Sequence, residues 1–288
     1  MTDDLSDALW GAQLDHLTFI CPDPAQMADF YGSVLGLAAQ QTEGQSFLLS
    51  GPGRRIVIRP GEQFDQTGSA FRFETAAALE RYRAALTAGG LNLKPHGSPF
   101  LADGFAVADP DGRDIQFGIT DPDIMLPVPA DTTPPGRLQH VVVATTDLGQ
   151  MIRFYEQTLG FRPSDYVVDE TADERPVTAA FYRSDPEHHS FAVFRADSTR
   201  PDHHAYEVEC WNDIRDWADR LAERDIQIWW GPGRHGVGNN LFFMIEDPWG
   251  YKIELSAELE TVPAETEVRT WAHGPRALNL WGNAWMRS

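Results

Sequence analysis

Cysteine is scarce: Cys21 and Cys210 are the only two, and they make neither a metal-binding nor a redox spacing. Their separation also argues against a disulfide framework. No apolar run approaches the ~20 residues that a membrane span needs. The first ten residues, MTDDLSDALW, carry acids where a secretory leader would need a basic start and an apolar core. Basic residues are few, 23 against 43 acidic ones, which leaves a formal charge of −20. A field of that sign repels nucleic acid and anionic membrane alike, so neither is an expected partner. The expected setting is the reducing cytoplasm.

What the chain does have is length and repetition. Its 288 residues suffice for two domains, each with its own core. The segment LDHLTFICPDPAQMADFYGSVLGL (Leu14–Leu37) returns as LQHVVVATTDLGQMIRFYEQTLGF (Leu138–Phe161). His16 precedes Phe30-Tyr31 by 14 residues, as His140 precedes Phe154-Tyr155. The pattern predicts a strand, a short loop and an amphipathic helix. Met27, Phe30, Tyr31 and Leu35 share one face of the first helix, and Met151, Phe154, Tyr155 and Leu159 one face of the second. Gly36 and Gly160 suit helix stops.

The repeat continues. Ser69–Leu86 parallels His204–Leu221, a strand and a second helix, and DPDGRDIQF (Asp109–Phe117) parallels DPWGYKIEL (Asp247–Leu255). Tandem duplication into two α+β modules follows, each with a mixed sheet curled around a cleft. The expected boundaries are an N-terminal module over 1–125, a C-terminal module over 137–260 and a Trp-rich tail over 261–288. Thr120–Gly136, with five prolines, reads as the linker. Residues 1–13 read as a polar leader with Trp10 as a packing anchor, and the tail reads as packed over the body.

Chemistry concentrates near the C-terminus. Gly231–Glu254 reads as a Gly/Pro-rich loop carrying His235, a strand over Leu241–Ile245, a turn at Asp247-Pro248-Trp249-Gly250 and a last strand ending in Glu254. Tyr251, Ile253 and Leu255 share one parity on that strand, and Lys252, Glu254 and Ser256 the other. A carboxylate in so apolar a strand needs a positive partner. At matched repeat positions the second half has His140, His204 and Glu254, whereas the first has His16, Ser69 and Gln116. Two imidazoles and a carboxylate from three strands form the facial triad suited to Fe(II) with open coordination positions. Mn(II) would fit as well, and zinc would accept the ligands in a tetrahedral site. The first half keeps one ligand of three, so a single metal site is expected, with His16 structural.

These residues resemble the type I extradiol ring-cleaving dioxygenases of the vicinal oxygen chelate, or glyoxalase-like, superfamily. The resemblance covers about residues 12–260 and rests on EHHSFAVF (Glu187–Phe194), DHHAYEV (Asp202–Val208) and the run GPGRHG to EDPWGYKIE that ends at Glu254. It implies tandem βαβββ modules and His140, His204 and Glu254 as iron ligands, the second histidine of the His203-His204 doublet being the ligand. It further implies that His189 is the acid/base on the dioxygen side, that His235 hydrogen-bonds the substrate's ring oxygen, and that the protein is a homo-oligomer acting on a catechol and O2. His188, His203 and His273 keep the ordinary structural reading.

One departure stands out. The tyrosine that the family usually has ten residues before the glutamate is Met244 here, and a thioether donates no hydrogen bond. Tyr182, Tyr206 or Tyr251 would have to take its place, or the substrate dispenses with it. Trp229 and Trp230 read equally as pocket wall or as core. Two alternatives stand beside ring cleavage. One is a non-redox metal enzyme of the same superfamily (isomerase, epimerase or thiol transferase), and the other is a non-catalytic protein that binds small aromatics.

Overall fold

A computed structural model describes residues 2–63, 68–121, 124, 126, 129, 133–134 and 136–286. Several of the linker residues expected within Thr120–Gly136 therefore lie outside the described ones. The first half runs α1 (Thr2–Leu9), β1 (Gln13–Cys21), α2 (Pro24–Leu35), β2 (Ala38–Gln41), β3 (Phe47–Gly51), β4 (Arg54–Pro60), β5 (Gly68–Phe73), α3 (Ala76–Ala88), β6 (Leu101–Ala108) and β7 (Asp114–Thr120). Next come β8 (Arg137–Thr145), α4 (Leu148–Arg153), β9 (Arg162–Val168), β10 (Val177–Arg183), β11 (Phe191–Arg195) and β12 (Arg200–Val208). The chain ends with α5 (Trp211–Ala222), β13 (Trp230–Arg234), β14 (Leu241–Glu246), β15 (Lys252–Ala257), β16 (Arg269–Ala272) and α6 (Pro275–Leu278).

The strands form two mixed sheets, in the orders β2-β3-β4-β1-β5-β7-β6 and β13-β14-β15-β12-β8-β11-β10-β9-β16. Local chemistry repeats between them. Asp23 caps α2 by accepting from the Gln26 amide, with Pro24 pre-set in the first turn, and Asp147 caps α4 through the Gln150 amide. Gly36 ends α2 at φ 66°, a left-handed conformation in which a side chain is strained. A π-type turn over Phe154–Thr158 prolongs α4, so Met151, Tyr155 and Leu159 all reach the core. The expected polar leader is largely helical, and Trp10 is an anchor beneath the Arg162 and Arg183 guanidiniums, 4.5 and 5.6 Å from its ring.

One apolar core joins the halves. Phe71 meets Phe161 edge to face at 5.2 Å, Tyr82 donates to the Leu159 carbonyl, and Tyr251 donates to the Ile20 carbonyl. The segment expected as a separate tail contributes β16, which pairs in parallel with β9 at the edge of the second sheet. Among the described residues no helix is long and apolar enough to cross a membrane.

The two registers superimpose. In the second sheet His140 pairs with Ala205, and Ala205 with Glu254. In the first, His16 pairs with Ala70, and Ala70 with Gln116. Both strand pairs even slip register next to this row, between Ala205 and Tyr206 and between Leu14 and His16. These rows fix which side chains can meet.

Candidate metal centre

The row His140–Ala205–Glu254 points to one face of the second sheet, and period-two alternation puts His203, two residues before Ala205, on that face as well. His140, His203 and Glu254 accordingly converge, each offering a ligand atom within 4.8 Å of the others, and all three are buried. His140 Nε2 and His203 Nε2 are 3.3 Å apart, and they lie 4.0 and 3.6 Å from the Glu254 carboxylate oxygens.

This corrects the expectation for the doublet. His204 belongs to the opposite face, where its ring stacks on Tyr31 at 6.0 Å and tilts against Phe19 at 5.0 Å, at the junction of the two modules. Burial pushes its imidazole down to a pKa of about 3, so the ring is neutral there. Register explains the error. The repeat aligns Ser69 with His204, but the position equivalent to the converging histidine is Gly68.

The protonation pattern of the trio calls for a cation. Gln139 Oε1 accepts from His140 Nδ1, and Asp202 Oδ2 accepts from His203 Nδ1 at 2.7 Å. With the protons on Nδ1, both Nε2 atoms carry lone pairs, facing each other and a carboxylate that has none to donate. Burial, reinforced by neighbouring imidazoles, holds the His140 ring well below the usual histidine range. Three converging electron-pair donors of this kind fit a divalent ion. Asn240 steadies the carboxylate, donating to Glu254 Oε1 at 3.0 Å and to Ser256 Oγ at 2.8 Å.

Two more imidazoles border the trio. The His189 ring lies 4.4 Å from that of His140, and burial holds it, too, far below its ordinary pKa. His235 stacks flat on Phe242 at 3.7 Å; its Nδ1 donates to the Leu278 carbonyl and its Nε2 is 3.4 Å from Glu254 Oε2. His140, His189, His203 and His235 all open onto one cavity of about 650 Å³, within the range of small-ligand sites. The rest of its wall is mostly apolar, with Val142, Phe181, Phe194 and Val237.

Some expectations place residues elsewhere. Trp229 and Trp230 do not line the cavity: Trp229 packs edge-on against Trp285, and Trp230 donates to the Asn283 carbonyl. Neither do the candidate tyrosines. Tyr182 donates to Glu156, Tyr251 to Ile20, and Tyr206 is buried against His204. Met244 sits beside Glu254 in register and is fully buried. His273, read as structural, lines the cavity with Nδ1 2.9 Å from Thr178 Oγ1. Gln139, Asp202 and Asn240 went unremarked, although a polar residue directly preceding a strand histidine was the available signal for the first two.

Among the described residues, the first module shows the same lattice with no converging metal ligands. Its equivalents are His16, Gly68 and Gln116, and the Gly97-Ser98 turn fills the space. Ser98 Oγ is 2.9 Å from His16 Nε2, and Gln116 Oε1 accepts from the Gly97 amide. His16 Nδ1 is held by Asp15 at 2.8 Å, completing a satisfied, fully buried structural histidine.

Comparison with known proteins agrees with this architecture. Residues 137–255 match the Glyoxalase/Bleomycin resistance protein/Dioxygenase superfamily, and residues 16–117 match the Glyoxalase-like domain. The chain belongs to this superfamily, with two such modules in tandem. Among the curated proteins it resembles, several are named as dioxygenases. It is 29% identical over 246 residues to the iron-dependent extradiol dioxygenase of Rhodococcus jostii, covering 80% of this chain and 81% of that one. It is 35% identical over 152 residues to metapyrocatechase 2 of Cupriavidus necator, an alignment spanning 51% of this chain and 45% of that protein. Homoprotocatechuate 2,3-dioxygenase of Arthrobacter globiformis shares the fold at TM-score 0.77 and 23% identity, over 96% of this chain and 89% of that one. The Mn(II)-bound glyoxalase of Novosphingobium aromaticivorans shares it at TM-score 0.75 and 23% identity, over 94% and 90%.

Proposed function

We propose that this chain is a metal-dependent extradiol dioxygenase that opens a catecholic ring beside its two hydroxyls and places both atoms of O2 in the product. The observation that carries the reading is the convergence of His140 Nε2, His203 Nε2 and the Glu254 carboxylate beside a largely apolar cavity. Fe(II) is the proposed ion, as in the relative from Rhodococcus jostii; a 24% identical relative from Geobacillus genomosp. 3 is named as manganese-dependent. When bound, the ion would supply coordination for both catechol oxygens and electron transfer between ring and O2.

The chain's own groups do the rest. His140, His203 and Glu254 would hold the ion beside the cavity. His235, pinned by the Leu278 carbonyl, is placed to orient the bound ring through its oxygen. His189, a neutral imidazole in its buried setting, would accept a proton at the reacting face and pass it on. Apolar walls keep bulk water from the ring. A cytoplasmic setting and a homo-oligomer belong to the same reading, and light scattering tests the second.

The test loads the protein anaerobically with Fe(II), adds a panel of catechols and then admits O2. The expected result is a yellow ring-opened product with one O2 consumed per catechol. Metal-loaded protein that consumes no O2 with any catechol overturns the reading.

A further inference from the structure

Two adjacent histidines, His188 and His189, are both buried, and only the second has a place in the chemistry above. Their Nδ1 atoms face each other at 2.9 Å. On its far side His188 Nε2 lies 3.1 Å from Asp165 Oδ2, in ion-pair reach of that carboxylate though not aligned for a hydrogen bond. Asp165 is itself fully buried and held by Arg269 Nε at 2.7 Å and Trp271 Nε1 at 2.9 Å, both from β16. Burial alone would push its carboxyl up; the neighbouring His188 and Arg269 outweigh that and hold it below the usual carboxylate range. The backbone of the doublet is clamped as well. The His188 amide donates to the Glu260 carbonyl, Ser164 donates to the His188 carbonyl, and Gln139 donates to the His189 carbonyl.

We propose that His188 is a positioning residue that sets the tautomer of His189, on the reading that the cavity holds the reacting substrate. A neutral imidazole has one donor nitrogen and one acceptor. With its Nε2 proton drawn towards the Asp165 carboxylate, a neutral His188 has only a lone pair at Nδ1. His189 must then carry its proton on Nδ1, pointing at His188, and its Nε2 is left as the lone-pair nitrogen of the ring that lines the cavity. The opposite tautomer would present a donor where a proton acceptor is needed. The arrangement follows the same logic as Gln139 on His140 and Asp202 on His203, applied to a histidine that binds no ion.

The test reads the ring nitrogens of the full-length chain by long-range 15N–1H correlation, metal-free and with diamagnetic Zn(II), and pairs this with steady-state kinetics on a catechol that the Fe(II) protein cleaves. The expected wild-type spectrum shows His189 protonated at Nδ1. His188→Leu, which removes the acceptor, should mix or invert the His189 tautomer and lower kcat by about 10- to 100-fold, the usual effect of losing an orienting partner. KM and metal content should stay near wild type. His188→Asn, which keeps an acceptor oxygen near the position of Nδ1, should recover most of the loss; a residue that merely filled space would not show that rescue. A wild-type spectrum with the His189 proton on Nε2 overturns the proposal, and so does His188→Leu turning over at the wild-type rate. If no catechol is cleaved at all, the ring-cleavage reading fails while the spectrum still decides the tautomer.

Discussion

His203 and His204 are neighbours in the chain, yet they serve opposite faces of the second sheet. His203 Nε2 lies 3.6 Å from Glu254 Oε2, while the His204 ring stacks on Tyr31 of the first module. One member of the doublet belongs to the candidate metal centre, and the other to the seam that joins the modules. The consequences for the two side chains differ in kind.

His204 should make the protein acid-labile. Its native pKa is about 3, against 6.5 for the ordinary ring, because burial disfavours the cation. A depressed native pKa means that the unfolded chain binds a proton the native state refuses. The stability is therefore fully present above pH 6.5 and is lost as pH falls from 6.5 towards 3. His204→Phe suits the Phe19 and Tyr31 rings and removes this linkage. Denaturant melts at pH 7 and pH 5 should show the wild type losing about 2 kcal/mol more than the variant, at about 1.4 kcal/mol per pH unit. Equal losses would contradict the buried neutral ring.

Metal should bind at one equivalent per chain, because Gly97-Ser98 fills the corresponding space in the first module. His16→Leu breaks the contacts to Asp15 and Ser98 and should cost about 1–3 kcal/mol of stability. Metal content by atomic emission should stay at one in that variant. A second equivalent in the wild type, abolished by His16→Leu, would show the relic site to be live.

The loop carrying His235 leaves no room beside the C-terminal segment. A Cβ at Gly236 would collide with the Arg276 carbonyl oxygen and meet the Trp271 ring at 3.0 Å. Gly236→Ala should therefore push the segment outward and loosen the Leu278 carbonyl from His235. We expect kcat/KM on a cleaved catechol to fall by about 10-fold or more, the scale of a misplaced orienting group, with metal content unchanged. Wild-type kinetics would show that the segment's grip on His235 is idle.

Much of this was legible in the sequence, for physical reasons. Duplication wrote the same strand and helix signals twice, so the modules could be read from the matching segments Leu14–Leu37 and Leu138–Phe161 and their helix stops at Gly36 and Gly160. Glu254 was conspicuous as a charge in an apolar strand. The doublet was different. His203 and His204 are both buried in one strand, and choosing between them requires the register of β12 against β8, which bulges shift. The C-terminal segment was harder still. Trp229 on Trp285 and Asp165 with Arg269 join residues far apart in the chain, and no local pattern announces such pairs.

Metal retention in two single variants tests the centre most directly. His203→Ala and His204→Ala are loaded with Fe(II), desalted and assayed for bound iron. His203→Ala should lose its iron, and His204→Ala, though less stable, should keep close to one equivalent. Iron retained in His203→Ala and lost from folded His204→Ala would contradict the site described above.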